Sequence, residues 1–367
     1  MKVIDQAHGQ NYSLYHADCI EALKGIPDNS IGLTITSPPF CNLYTYSNSP
    51  RDMGNTRDDP HFFENFRFLI PELLRVTIPG RLCVVHCKDL PLFLNSDGMA
   101  GLRDFPGELV KAFIGEDAYK IFAQLDALER LKLRIKTKAA LKVIDTEVAA
   151  LRDLFDRHKQ GNWGFHSRIT IWKDPKIERD RTNNSGLLHN QLCKDSSASR
   201  QGMADYLLVF RKWHPDMNGL NSTEPVTRFP EEKSPATRFD SYIGTEPPCF
   251  PSDSDPRQFS IVVWRKYASP VWFDIHQTNV LNVNIQRAKG EPHICPLQLD
   301  VIERAIALWT NPGDTVFDPF NGVGSTGFVA IGMDRKYIGT ELKESYFRKS
   351  ITFLDGIESA HQLEMVS

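Results

Sequence analysis

The chain has 367 residues, enough for a sizeable core and, at about 150 residues per domain, roughly two domains. Hydrophobic residues make up 41% and charged residues 24%, which excludes a wholly disordered chain, and no run approaches the roughly 20 apolar residues of a membrane span. The net charge of −3 excludes the global basicity of a histone-like protein, so a nucleic acid partner requires locally clustered basic residues.

In chain order, Asp18-Cys19-Ile20-Glu21-Ala22-Leu23 reads as a helix start. The apolar run Ile31-Gly32-Leu33-Thr34-Ile35-Thr36 reads as a buried strand, stopped by Pro38-Pro39 because proline cannot continue a central strand. An amphipathic helical segment is expected from Glu64 to Val76, a turn at Pro79-Gly80, and a buried strand over Leu82-Cys83-Val84-Val85-His86. Residues 116–160 change character. Ile121, Leu125, Leu128 and Ile135 share one helical stripe, and Leu141, Ile144, Val148, Leu151 and Phe155 share a second at 3-4-3-4 spacing. The phases do not join, which predicts a hairpin of two helices, with one long bent helix as the alternative. Arg130, Lys132, Arg134, Lys136, Lys138 and Lys142 cluster at the bend.

Strands are expected over Arg168-Ile169-Thr170-Ile171-Trp172 and Tyr206-Leu207-Leu208-Val209-Phe210, with a polar basic stretch between them. Eight of the 23 prolines fall between 213 and 256, the composition of a long irregular loop. A helix from Leu297 to Trp309, a strand Thr315-Val316-Phe317-Asp318, a glycine-rich turn, a helix and a strand ending at Glu341 close the chain. Seven cysteines form an odd set without paired spacing, which fits reduced thiols in a cytoplasm, and Met1 to Gln6 carry no apolar secretory segment. Cys83, His86 and Cys87, and His293 with Cys295, lack the paired spacing of a zinc site, so no metal is expected.

Two motifs carry chemistry. In Phe317-Asp318-Pro319-Phe320-Asn321-Gly322-Val323-Gly324-Ser325-Thr326-Gly327 a strand ends in a glycine turn that opens a helix, and the glycines allow close ligand approach. It fits the G-x-G-x-x-G pattern, with Glu341 about where a ribose-binding acid belongs. Alone, it suits a ribose-bearing nucleoside, an NAD site or a plain strand-turn-helix corner. The second motif is Thr36-Ser37-Pro38-Pro39-Phe40 at a strand end. Paired prolines can hold a carbonyl and the Ser37 hydroxyl toward a cleft, beside an aromatic ring that can stack on a base.

Together these motifs resemble the amino-group DNA methyltransferases that use S-adenosylmethionine, and their order resembles the beta class: proline motif first, target recognition in the middle, glycine loop last. Ala17-Asp18-Cys19, Leu73 to Gly80, His293-Ile294-Cys295-Pro296-Leu297-Gln298 and Thr340-Glu341 resemble further family segments. Residues 163–212 resemble a phage and prophage subgroup through Ile171-Trp172-Lys173-Asp174-Pro175 and Asp205 to Lys212. The hairpin at 116–160 looks inserted.

The resemblance implies an α/β fold: a Rossmann-like, mostly parallel sheet with helices on both faces and a permuted motif order. It implies halves at 1–115 and 260–367, the insert at 116–160 and a target-recognition region at 161–259. Ser37, Pro38, Pro39 and Phe40 would be catalytic. S-adenosyl-L-methionine would be held by Asp18, Cys19, Thr36, Pro296, Asp318, Pro319, Phe320, Gly322, Gly324, Ser325 and Glu341. Arg168, Lys173, Arg179, Arg181, Lys194 and Arg200 would touch DNA. The partner would be double-stranded DNA, with a homodimer and a cognate restriction enzyme left open. Family members with Ser before the prolines mostly methylate cytosine N4, and those with Asp or Asn mostly adenine N6. Cytosine is therefore favoured, with adenine as the alternative and a non-catalytic DNA-binding subunit as a second one.

Overall fold

A computed structural model describes residues 3–40, 49, 51–92, 98–99, 101–135, 137–160, 163–182, 191–199, 201–213, 264, 266–281 and 296–366. The eight prolines expected to form a loop at 213–256 all lie outside the described residues.

The N-terminal strands β1 (Asp5–His8) and β2 (Tyr12–His16) form a hairpin that leads into α1 (Cys19–Leu23). Asp18 caps α1, its carboxylate accepting from the backbone N–H groups of Ile20 and Glu21. β3 (Ile31–Thr36) is buried at every position, which its unbroken apolar run requires. The expected single helix is split into α2 (Asp59–Phe66) and α3 (Leu69–Val76). Pro71 explains the break: its ring and missing N–H are tolerated only in a first turn, so α3 restarts just ahead of it. The expected turn at Pro79-Gly80 is instead part of β4 (Thr77–Lys88). Gly80 takes φ 83°, and the β3–β4 register shifts between Ile31 and Leu33, so the irregularity is absorbed as a kink in a longer strand.

A small ladder, β5 (Leu90–Leu92) with β6 (Gly101–Arg103), precedes α4 (Phe105–Ile114). α5 (Glu116–Lys132) and α6 (Lys138–Gln160) then form two helices with a break at 133–137. Ile121, Ile144 and Val148 are buried along them, and Lys132–Asp145 and Arg152–Glu129 ion pairs bridge them. β7 (Trp163–Ile171), α7 (Pro175–Thr182), α8 (Gln191–Lys194), β8 (Asp205–Lys212) and β9 (Val271–Trp272) follow. The chain ends with α9 (Leu299–Trp309), β10 (Thr315–Asp318), α10 (Ser325–Gly332), β11 (Lys336–Glu341) and α11 (Glu344–Val366).

Nine strands form one mixed sheet in the order β1-β2-β11-β10-β3-β4-β8-β7-β9. The central strands β2, β11, β10, β3 and β4 are parallel, and β8 runs against both β4 and β7. One face packs on α1 to α4 through Leu23, Phe62, Phe66, Leu73 and Phe105. The other packs on α9 to α11 through Val301, Ile306, Ala330, Phe347 and Leu354. This is the expected α/β architecture, and the two ends of the chain build its centre. Among the described residues no helix is long and apolar enough to cross a membrane.

Candidate active site

The connections leave β10 and β3 in opposite directions. α10 carries β10 to β11 on one face, while α2 and α3 carry β3 to β4 on the other. A crevice opens where neighbouring strands diverge in this way, at their C-terminal ends. A pocket lies there, lined on one wall by Asp18, Asp318, Phe320, Gly322, Ser325 and Glu341, and on the other by Ser37, Pro38, Pro39 and Phe40.

The glycine-loop wall is built by buried side chains. Asp318, at the end of β10, accepts from the Thr36 hydroxyl at 2.9 Å, the Phe320 N–H at 2.9 Å and the Thr326 hydroxyl at 2.8 Å. Burial pushes its carboxyl up to about 6, against those three donors. Asp318 thus ties the loop to the strand that carries the second motif. Gly322 and Gly324 take φ 56° and 95°, in the left-handed region that glycine tolerates. Side-chain bonds among Asn321, Tyr337 and Ser350 brace the loop from below. Glu341, at the end of β11, accepts from the Gly322 and Lys343 N–H groups, each at 2.8 Å. Burial pushes its carboxyl up to about 7.

Most of the residues expected to hold a cofactor border this pocket: Asp18, Cys19, Pro296, Asp318, Pro319, Phe320, Gly322, Ser325 and Glu341. Thr36 and Gly324 lie one layer behind. Thr36 is buried against Asp318, and a side chain on Gly324 would meet the Ser350 hydroxyl at 2.5 Å. Cys19 is buried, and burial raises its thiol far above the usual range, so it contributes shape and no thiolate. The Ser325 hydroxyl is buried, borders the pocket and has no partner among the described residues. An orphaned hydroxyl beside a carboxylate with lone pairs to spare fits a polar, hydroxyl-bearing ligand. Arg51, Asp52, Met53 and Tyr346 also line the pocket and were not expected from sequence, since nothing near them repeats a motif.

On the opposite wall, Ser37 follows the end of β3 and Phe40 packs against Phe105, with ring centroids 6.1 Å apart. The Ser37 hydroxyl lies 2.9 Å from His86 Nδ1, and His86 Nε2 lies 3.1 Å from Asp205 Oδ2. Burial opposes ionisation of Asp205, yet the hydrogen bond from His86 and the Lys173 ammonium hold its carboxyl well below the usual range. The pairing of His86 with Asp205 carries no sequence signal, because they are 119 residues apart and meet only through β4–β8 pairing.

The residues expected to touch DNA are dispersed. The strand directions place the end of β7 and the start of β8, between which the 172–204 connection runs, at the edge that carries Ser37. Arg168 is exposed, its guanidinium 5.7 Å from the Tyr206 ring centre. Arg179 on α7 and Lys194 on α8 are exposed. Lys173 is buried, with its ammonium 2.7 Å from Asp205, so it faces the protein and not solvent. Arg181 lies on α7 with its side chain outside the described residues, and Arg200 lies outside them altogether. Among the described residues no group of three or more His, Cys, Asp or Glu could hold a metal.

The fold and pocket are those of an α/β protein with a ligand crevice at the strand ends. Residues 31–352 match the family described as DNA methylase, of the N6/N4 type, and the chain belongs to that family. It is 34% identical to the type II methyltransferase M.XycI of Xanthomonas campestris pv. cyanopsidis, over 95% of this chain and 89% of that protein. It is 44% identical to the orphan methyltransferase M.BamHII of Bacillus amyloliquefaciens over 71 residues, a match spanning 19% of this chain and 25% of that protein. Among solved structures it is similar to TTHA0409 of Thermus thermophilus, complexed with S-adenosyl-L-methionine, at TM-score 0.49 and 16% identity, covering 94% of this chain and 95% of that one.

Proposed function

We propose that the protein transfers a methyl group from S-adenosyl-L-methionine to the exocyclic amine of a base flipped out of duplex DNA, cytosine N4 in the first instance. The observation that carries this reading is the shared pocket: the glycine loop with Glu341 and the Ser37-Pro38-Pro39-Phe40 motif line one crevice from opposite walls. Membership of the DNA methylase family supports it.

When bound, S-adenosylmethionine supplies an electrophilic methyl group on a sulfonium, so the reaction needs no metal. The chain's part is to hold and aim. Glu341 and the Ser325 hydroxyl are suited to hydroxyl and amino groups of the cofactor. An aromatic amine is a poor nucleophile because its lone pair is delocalised into the ring. Ser37 Oγ can accept one of the amine's hydrogens, and Phe40 can stack on the base. Positioning and local electrostatics then account for most of the rate. The 172–204 connection, which opens at the same edge, is suited to reading the DNA.

Sequencing DNA from cells that express the protein, by a method that separates N4-methylcytosine from N6-methyladenine, tests base and site together. Methylcytosine at one sequence context is the expected result, and methyladenine there would move the target to adenine. Ser37→Ala and Phe40→Ala should lower methyl transfer more than DNA binding, since base stacking is worth roughly 1–3 kcal/mol while phosphates dominate affinity. Full activity in both variants would place the chemistry elsewhere.

A further inference from the structure

Behind Ser37 stands a line of buried polar groups, of which Lys173 and Asp205 fall in the family-like segments 171–175 and 205–212 and His86 falls in none. Ser37 Oγ is 2.9 Å from His86 Nδ1, His86 Nε2 is 3.1 Å from Asp205 Oδ2, and the same carboxylate oxygen is 2.7 Å from Lys173 Nζ. His86, Asp205 and Lys173 are each no more than 7% exposed. They come from β4, from the start of β8 and from just past the end of β7. The His86 ring also borders Phe40, with centroids 5.9 Å apart.

With a neutral His86 imidazole, these contacts set the direction of each hydrogen bond. An ionised Asp205 can only accept, so His86 Nε2 carries a proton and donates it. A neutral imidazole then has a bare Nδ1, which can only accept, so the Ser37 hydroxyl donates to it. The one proton on Ser37 Oγ is thereby directed away from the pocket, and both of its lone pairs are left for a donor arriving there. Lys173 helps keep Asp205 ionised, which holds the pattern in place.

A bland reading is that the cluster merely joins β4, β7 and β8. Those strands are already joined by long ladders, with His86 paired to Leu207 and Ile171 to Asp205. A buried ion cluster is also a poor source of stability compared with apolar packing. Its position directly behind the motif serine is what joining the strands leaves unexplained.

We propose that His86, oriented by Asp205 and Lys173, is a positioning residue for methyl transfer: it fixes Ser37 as a pure hydrogen acceptor toward the target amine and takes up the proton that the amine sheds. The inference rests on the placement of the chemistry at Ser37. As the amine lone pair forms the N–C bond, the methyl–sulfur bond breaks and its electron pair neutralises the sulfonium to a thioether. The nitrogen, now positive, gives one proton to Ser37 Oγ as the Ser37 proton moves to His86 Nδ1. The imidazolium is held against Asp205 until the proton leaves to solvent, and the methylated amine is released neutral.

The test compares Ser37→Ala, His86→Ala, His86→Gln and the double variant Ser37→Ala/His86→Ala in the full chain. It measures melting temperature, affinity for S-adenosylmethionine and for target duplex, and methyl transfer. His86→Ala should lower kcat on the order of 100-fold, the usual scale for a lost proton acceptor, with cofactor affinity within about twofold of wild type. In the Ser37→Ala background the same substitution should cost less than about threefold, since a residue acting through Ser37 has nothing left to act on. His86→Gln retains a buried polar side chain but cannot take up a proton, so it should remain at least about tenfold slow even if His86→Ala fails to fold. Nitrogen NMR of the free protein should find the His86 proton on Nε2.

Full activity of His86→Gln, equal losses in both backgrounds, or a proton on Nδ1 would overturn the proposal and leave the Ser37 site standing. Full activity of Ser37→Ala would overturn the site itself.

Discussion

The buried carboxyls of the two walls of the pocket are shifted in opposite directions. Asp318 and Glu341 are met by neutral donors: hydroxyls and backbone N–H groups. Burial wins there, and their carboxyls rise to about 6 and about 7. Asp205 is as deeply placed but faces His86 and Lys173, and its carboxyl falls well below the usual range. Depth therefore does not decide ionisation; the charge of the partner does. The glycine-loop wall has proton affinity to spare near neutrality, while the serine wall holds a fixed negative charge.

The contrast is most exposed to removal of the charge itself. Asp205→Ala leaves Lys173 buried without a counter-charge and should cost about 3–5 kcal/mol in denaturant unfolding, the usual scale for breaking a buried pair. A loss no greater than that of an exposed-site substitution would end the comparison. Glu341→Ala comes next. Bonds to a charged acceptor are each worth roughly 1.5–3 kcal/mol, so calorimetric titration should show S-adenosylmethionine binding weakened by at least about tenfold.

Acid should sharpen the difference. The Glu341 carboxyl titrates at about 7, and only the ionised form offers all its lone pairs to ligand hydroxyls. Cofactor affinity should fall as pH drops through about 7, and Glu341→Gln should flatten that dependence. The stability contributions run in opposite senses. Asp205, with its lowered carboxyl, stabilises the fold above the ordinary carboxylate range, and that contribution is lost as pH falls through its folded value. Asp318, raised to about 6, contributes most in acid and loses that contribution as pH rises through about 6. Urea unfolding of Asp205→Asn and Asp318→Asn against wild type, carried from about pH 2 to about pH 8 so that it spans both carboxyls, separates the two signs. The smallest effect is expected far from both walls. Replacing 118–158 by a short Gly-Ser bridge should leave cofactor affinity unchanged, because no residue of that stretch borders the pocket. If the basic bend grips phosphates, the salt dependence of DNA binding should flatten.

What the sequence disclosed follows from how local each signal is. β3 and β10 coincide with their apolar runs, because a short run bounded by proline or glycine has few other uses. The stripes at 121–135 and 141–155 pointed to two helices because side-chain spacing reports directly on helical phase. The split between α2 and α3 was hidden by an apolar pattern that continues across Pro71. The Ser37–His86–Asp205–Lys173 line was illegible for a different reason. Ser37 stands out by its motif, but nothing local ties it to His86, Asp205 or Lys173, and the line exists only once antiparallel pairing of β4, β8 and β7 brings their segments to one edge. Lys173 shows the cost of reading such a residue alone: among other basic residues it suggests a DNA contact, while its ammonium is buried on Asp205.

The bond from Thr36 to Asp318 joins residues 282 positions apart. It lies beside the β3–β10 pairing, the central seam of the sheet and the floor of the pocket. On the ribosome, β3 emerges long before its central neighbour β10, whose Asp318 is made 282 residues after Thr36. Contacts of such long sequence separation form late and slowly. A nascent chain that stops short of β10 lacks both the glycine loop and its anchor, so the cofactor pocket cannot assemble until synthesis has passed Glu341 and β10 has paired with β3.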